Sequence, residues 1–171
     1  MTGRAVTAPR IQRARLRDVP ALARILWTHT RAPGHPRARS PLSDLRLLAM
    51  LVRRDEVRLI RDARGPAAFL ARRDQAIHAL YVHARARRTG LGRTLLAEAK
   101  RACPALSIWT PQDNHAARRF YAAEGFQTMG YSDGSHNDET LPEVLMIWSA
   151  APHRPDPARD PQALHQIREP T

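Results

Sequence analysis

A short apolar run, IHALYV at Ile77 to Val82, leads through the arginine pair Arg87 and Arg88 to GLG at Gly90 to Gly92 and then to LLAEAKRA, Leu95 to Ala102. A run this short, rich in β-branched and aromatic side chains, suits a buried strand. Alternation places His78, Leu80 and Val82 on one face and Ile77, Ala79 and Tyr81 on the other. Strong helix formers with Leu95, Leu96 and Ala99 at helical spacing predict a helix that begins near Gly90. The first N–H groups of a helix lack partners and carry roughly half a positive charge, so they attract anions. Glycines let an anion approach that backbone with no Cβ in the way, and Arg87, Arg88 and Arg93 add charge fixed at physiological pH. The segment therefore predicts an α/β unit with an anion cradle at a strand end. Taken by itself it is also compatible with an ordinary glycine turn.

A second segment, WTPQDNHAARRFYAAEGF from Trp109 to Phe126, narrows the choice. Leu106 to Thr110 reads as another strand, and a helix is predicted from about Asp113 to Glu124, closed by Gly125 as the residue after its end. Phe126 then restarts an extended segment. Strand, glycine turn, helix, strand, helix, strand is the order of a βαβ-type unit.

The rest of the chain supplies flanking elements. Ile11 to Ala14 reads as a first strand, and Asp18, with Pro20 two residues on, as a helix cap before the stripe Ala21, Leu22, Ile25 and Leu26. Arg31 to Pro41 contains four breakers, Pro33, Gly34, Pro36 and Pro41, and reads as a loop. A second helix is expected from Ser43, as cap, through LRLLAMLVRR. Val57 to Ile60 and Ala67 to Ala71 form an expected hairpin around DARG, and Glu143 to Ser149 a late strand. From Ala150 on, prolines among charges predict a disordered tail. The expected organisation is a flexible terminus over 1–10, one domain over 11–149 and a Pro-rich tail over 150–171, with no repeats.

Composition fits one enzyme-sized domain of 171 residues, 43% of them hydrophobic. No apolar run approaches the ~18 residues of a membrane span, and the N-terminus lacks a signal-like apolar core. The lone cysteine, Cys103, allows no internal disulfide, which suits the cytoplasm. The net charge of +12 invites a nucleic-acid reading, yet among 28 basic residues only Lys100 is lysine and the arginines are scattered. No array of stacking aromatics and no zinc spacing accompanies the charge, so dedicated nucleic-acid binding is disfavoured. No spacing matches a standard metal-ligand set.

On these two motifs the chain resembles the GCN5-related N-acetyltransferase (GNAT) superfamily. RRTGLG, Arg87 to Gly92, is similar to that family's acetyl-CoA pyrophosphate loop. Asn114, Ala117, Phe120, Tyr121, Gly125 and Phe126 are similar to its second signature, whose helix carries a tyrosine towards the thioester. The resemblance covers roughly residues 11 to 149. It implies an α/β (α+β) fold with a mixed, mostly antiparallel central sheet of about six to seven strands flanked by about four helices. It also implies acetyl-CoA as cofactor, bound by Leu80, Tyr81, Val82, Arg87, Arg88, Thr89, Gly90, Leu91, Gly92, Arg93, Thr94, Asn114, Ala117 and Phe120. For Asn114, helix capping explains the residue as well as cofactor contact does.

The chemistry expected of such a protein is acetyl transfer to a primary amine by direct attack in a ternary complex. An amine with pKa near 10.4 is only about one part in 2,500 neutral at pH 7, so a base is useful. His78 is the candidate, acting through water. HALYV at His78 to Val82 resembles the strand of serotonin N-acetyltransferases that carries such a histidine, although the family's more widespread base is a glutamate near Ala76. A packed or solvent-facing histidine is the alternative. Tyr121 is the expected general acid for the departing thiolate. Trp109 either lines the acceptor channel or packs in the core. Asp133, Asp138 and Glu139, in SDGSHNDETLPE, either form an acidic rim that favours a small cationic amine or sit in a solvated turn. Two rival classes remain: a transferase acting on a protein N-terminus or a tRNA-linked amine, and a non-catalytic acetyl-CoA sensor. A homodimer is left open.

Overall fold

The computed structural model describes residues 9–30, 40–135, 137 and 140–151. Seven strands form one sheet in the order β1-β2-β3-β4-β5-β7-β6. They are β1 (Ile11–Arg13), β2 (Val57–Asp62), β3 (Gly65–Arg73), β4 (Ala76–Val82), β5 (Ala105–Pro111), β6 (Gln127–Ser132) and β7 (Glu143–Ser149). Every neighbouring pair is antiparallel except β4 and β5, which run parallel and are joined by a helix, as a crossover between parallel strands requires. The helices are α1 (Val19–Thr30), α2 (Pro41–Arg53), α3 (Leu91–Ala102) and α4 (His115–Ala123). Among the described residues, the expected mixed sheet and helix number are therefore what is found.

Each face of the sheet buries its own apolar cluster. On one, Leu95, Leu96 and Ala99 of α3 and Tyr121 of α4 pack on Ala68, Leu70, Ile77, Leu106 and Ile108. On the other, Leu22, Ile25, Leu48 and Leu51 of α1 and α2 cover Leu59, Phe69 and Ala71. The sheet is thus covered on both sides, and its central strands read as nearly unbroken apolar runs for that reason.

Three local expectations are corrected. The cap of α2 is Ser40, not Ser43: the Ser40 hydroxyl accepts the Ser43 N–H at 3.2 Å, and Pro41, counted into the loop from sequence, opens the helix. Proline suits that first position because its missing N–H would have no partner there. Asp18 directly precedes α1, but its carboxylate turns back to Arg15 rather than to an N–H of that helix. It is buried in a short 3-10 turn, Leu16–Asp18, where it accepts the Arg15 N–H at 2.9 Å and pairs with Arg61 of β2 at 2.6 Å. The third correction, in β4, belongs to the site. The rest of the predicted Arg31 to Pro41 loop lies at 31–39, outside the described residues, as do His136, Asp138, Glu139 and most of both terminal segments.

Burial alone would raise the Asp18 carboxyl's pKa, but the bonds from Arg61 and the Arg15 N–H overcome it and hold the group below the usual carboxylate range. A depressed folded-state value contributes stability above the unfolded pKa of about 3.9, lost as pH falls through the folded value. Urea midpoints measured from pH 6 downward should therefore fall for the native chain and fall less steeply for Asp18→Asn. Equal slopes would exclude this pair as a source of acid sensitivity.

Candidate functional site

β4 carries one residue more than its partner accommodates. Ala71 of β3 faces Ala79, but the next residue, Arg72, faces Ile77, so His78 is a β-bulge. The bulge breaks the expected alternation: Ile77 joins Leu80 and Val82 on the α3 face, whereas Ala79 and Tyr81 pack on the α1 and α2 face. His78 itself is exposed. Parity read from sequence assumes an unbroken pleat and cannot see an inserted residue.

The bulge coincides with a fork in the sheet. β4 pairs with β5 only at Ala76 to Ser107 and Ile77 to Ile108, and beyond that point the two strands have no register. β5 is meanwhile paired along all its length with β7. At the open end of β4, the His83 N–H bonds the Ala67 carbonyl of β3 at 2.8 Å. Because successive peptide groups point to opposite sides of a strand, Leu80 and Val82 turn their N–H and C=O groups away from β3 and towards the fork. A cleft results, edged by main-chain groups that no neighbouring strand uses.

The glycine loop closes one end of that cleft. A 3-10 turn at Ala84–Ala86 follows β4, and Arg85 ties it to the β2–β3 hairpin through Asp62 at 2.9 Å and the Pro66 carbonyl at 2.9 Å. That guanidinium, as donor to the Asp62 carboxylate, holds its pKa below the usual range. The Thr89 hydroxyl donates to the Ala86 carbonyl at 2.7 Å. Arg88 sits at φ 63° and Gly90, the residue before α3, at φ 84°, so the chain twice enters the left-handed region within the loop. Only Gly90 does so without a Cβ penalty. The first N–H bonded within α3 is that of Thr94, to the Gly90 carbonyl at 2.9 Å, which leaves the N–H groups of Leu91, Gly92 and Arg93 at the helix mouth. Side-chain charge there is uneven: Arg87 and Arg88 are exposed, while Arg93 is held by Glu124, the residue that follows α4, at 2.7 Å.

α4 forms the facing wall. A Cβ at Gly92 would lie 3.5 Å from Phe120 and 3.6 Å from Val82, so the start of α3, the end of β4 and α4 meet at this glycine. Asn114 caps α4, its side-chain oxygen accepting the Ala117 N–H at 3.1 Å, and that oxygen is therefore committed to the helix. Tyr121 is 4% exposed, its ring 5.2 Å from Phe120 and 5.3 Å from Phe126. Among the described residues its hydroxyl has no hydrogen-bond partner. Burial, followed by the nearby phenol of Tyr81, pushes its pKa well above the usual tyrosine value, so it keeps its proton throughout the physiological range.

On β5, Leu106 and Ile108 enter the α3 cluster, and Trp109 lies half-buried on the opposite face. Asp133 is exposed in the β6–β7 connection, where its carboxylate accepts the Ser135 N–H at 2.9 Å. Gly134 follows at φ 86°, with the Leu141 backbone against the place a Cβ would take, so the turn has room for no other residue. Sequence reasoning missed one member of the cleft, His29 at the end of α1. Its Nε2 lies 3.0 Å from the Val82 carbonyl oxygen. No motif surrounds it, and only packing of α1 across β4 brings it there.

Residues 49–128 match the family model described as acetyltransferase (GNAT) domain. No curated protein matches the chain significantly. Among solved structures, a GNAT-family acetyltransferase of Bacillus cereus superposes with TM-score 0.68 at 15% identity, covering 85% of this chain and 100% of that one. The PaiA N-acetyltransferase of Thermoplasma acidophilum, in complex with coenzyme A, gives 0.65 at 18% identity, over 84% and 99%. The yncA protein of Salmonella typhimurium, with its cofactor acetyl-CoA, gives 0.62 at 20% identity, over 91% and 99%. At such identities the likeness is one of fold.

Proposed function

On the match of residues 49–128 to a GNAT acetyltransferase domain, we propose that this chain moves an acetyl group from acetyl-CoA to a primary amine. The observation that carries the reading is the fork beside the glycine loop. Leu80 and Val82 offer main-chain groups that no strand uses, a few residues from a helix mouth with three N–H groups free of intrahelical bonds. That combination suits a ligand with amide groups at one end and phosphates at the other, and coenzyme A is such a ligand; solved structures of the same fold hold it. Gly90 to Thr94, with Arg87 and Arg88, would take the pyrophosphate, and Leu80 to Val82, Ala117 and Phe120 the pantetheine arm. Acetyl-CoA supplies an activated acyl group and a thiolate leaving group.

The residues of the chain divide the proton traffic. Tyr121 keeps its proton and donates it towards the departing sulfur. His78, exposed at the bulge where β4 leaves β5, would take the proton of the attacking amine through water. His78→Ala is expected to lower kcat/KM about 10-fold or more above pH 6 and little below it; a pH-rate profile of unchanged shape would remove His78 from the mechanism. A small cationic amine is the favoured acceptor, supported by the acidic residues of the β6–β7 connection. Asp133→Asn should then raise KM for a diamine several-fold without changing KM for a neutral amine, since exposed charges steer rather than bind.

Release of free thiol from acetyl-CoA, followed across a panel of amines, diamines and N-terminal peptides, tests the whole reading. Turnover confined to peptides, or to aminoacyl-tRNA with steep salt dependence, would replace the small acceptor with a macromolecule. Binding without turnover on any acceptor would favour a sensor.

A further inference from the structure

His29 touches both parts of the cleft that the proposed cofactor needs. Its Nε2 lies 3.0 Å from the Val82 carbonyl oxygen, one of the main-chain groups turned into the fork. A carbonyl can only accept, so Nε2 carries the ring proton and donates it, and Nδ1 is left as a bare lone pair. A terminal guanidinium nitrogen of Arg87 stands 3.4 Å from each ring nitrogen, an equal spacing that places it over the imidazole rather than in line with the Nδ1 lone pair. The Tyr81 ring, 5.0 Å away, packs beside the imidazole.

We propose that His29 is a positioning residue that seats Arg87 and the Val82 carbonyl in the free enzyme and releases Arg87 to the pyrophosphate when acetyl-CoA binds. The proposal rests on the cofactor reading above. A guanidinium–phosphate bond is charge-assisted and roughly twice as strong as one to a neutral acceptor, so the exchange runs towards the phosphate. The charged and titratable groups facing the ring are Arg87, His83 and the Tyr81 phenol. Burial first, then the charges of Arg87 and His83, lower the pKa of His29 below that of a free imidazole, against the bond to Val82, which raises it. Neutralising Arg87 relieves one of the lowering causes. Coenzyme A binding therefore draws a fraction of a proton from solvent onto the imidazole, and affinity rises as pH falls through the range in which His29 titrates.

The experiment is an NMR titration of the His29 ring in the free protein and in the protein saturated with coenzyme A, beside calorimetry at about pH 6 in two buffers of different ionisation enthalpy. The His29 midpoint should move upward on saturation, and the heat should depend on the buffer. In R87Q the free-protein midpoint should already be raised, with most of the ligand-induced shift gone. His29→Gln keeps a donor for Val82; it should weaken coenzyme A about 3- to 10-fold and abolish the buffer dependence. Coenzyme A binding with an unmoved His29 midpoint, or a shift undiminished in R87Q, would overturn this proposal alone. Absence of binding, seen as unperturbed Gly90 and Gly92 amide resonances in the native protein, would overturn the cofactor reading and this proposal with it.

Discussion

Replacing Tyr121 with phenylalanine is expected to lower kcat about 100-fold or more, with KM for acetyl-CoA nearly unchanged and the fold intact. The size follows from loss of a positioned proton donor, which is worth roughly 10²- to 10⁴-fold. The selectivity follows from the environment. The ring packs between Phe120 and Phe126, and phenylalanine keeps that packing. The hydroxyl bonds no described residue, so its removal orphans nothing and costs the fold little. Its raised pKa gives the expected pH behaviour, because a phenol neutral throughout the physiological range leaves a deficit of constant size between about pH 6 and pH 9. Steady-state kinetics beside a thermal melt would check both halves; full turnover with chemistry rate-limiting would end the general-acid assignment.

Phe69→Ala is the substitution expected to cost most in stability, about 3–5 kcal/mol. Phe69 is fully buried in the middle of β3, on the face covered by α1 and α2. Deleting its ring opens a cavity between those helices and the sheet. A loss of this size is comparable with the whole stability of many domains, so urea denaturation should show a strongly reduced midpoint at a similar slope. The Tyr81 ring lies 5.7 Å from Phe69 and the His29 ring 5.0 Å from Tyr81, so coenzyme A affinity should fall in the same variant. An affinity unchanged in the surviving folded fraction would show that α1 does not help to shape the cleft.

How far the sequence could be read depended on whether a signal was local. The loop from Arg87 to Gly92 and the helix after it were legible because left-handed backbone at Gly90 and helix propensity after it are properties of a few adjacent residues. The α4 segment was legible for the same reason, with Asn114 capping it and Gly125 following at φ 84°. At α2 two serines and a proline lay close together, and sequence placed the cap three residues late, since only coordinates reveal which hydroxyl meets an N–H. Asp18 carried a capping pattern, but its partner Arg61 lies 43 residues away on β2, and pairing at that separation leaves no trace in local spacing.

Sequence by itself determined that a glycine-led helix follows a short strand and that a tyrosine-bearing helix follows the next one, which sufficed to imply the family and its cofactor. Tertiary structure decided what surrounds those motifs. It placed the extra residue of β4 at His78, opened the fork beyond Ile77 and Ile108, and laid His29 against Val82 and Arg87. The physical reason is the same in each case. A bulge, a fork and a helix–strand contact are defined by which distant segment lies opposite, and alternation or periodicity within one segment carries no record of its neighbour.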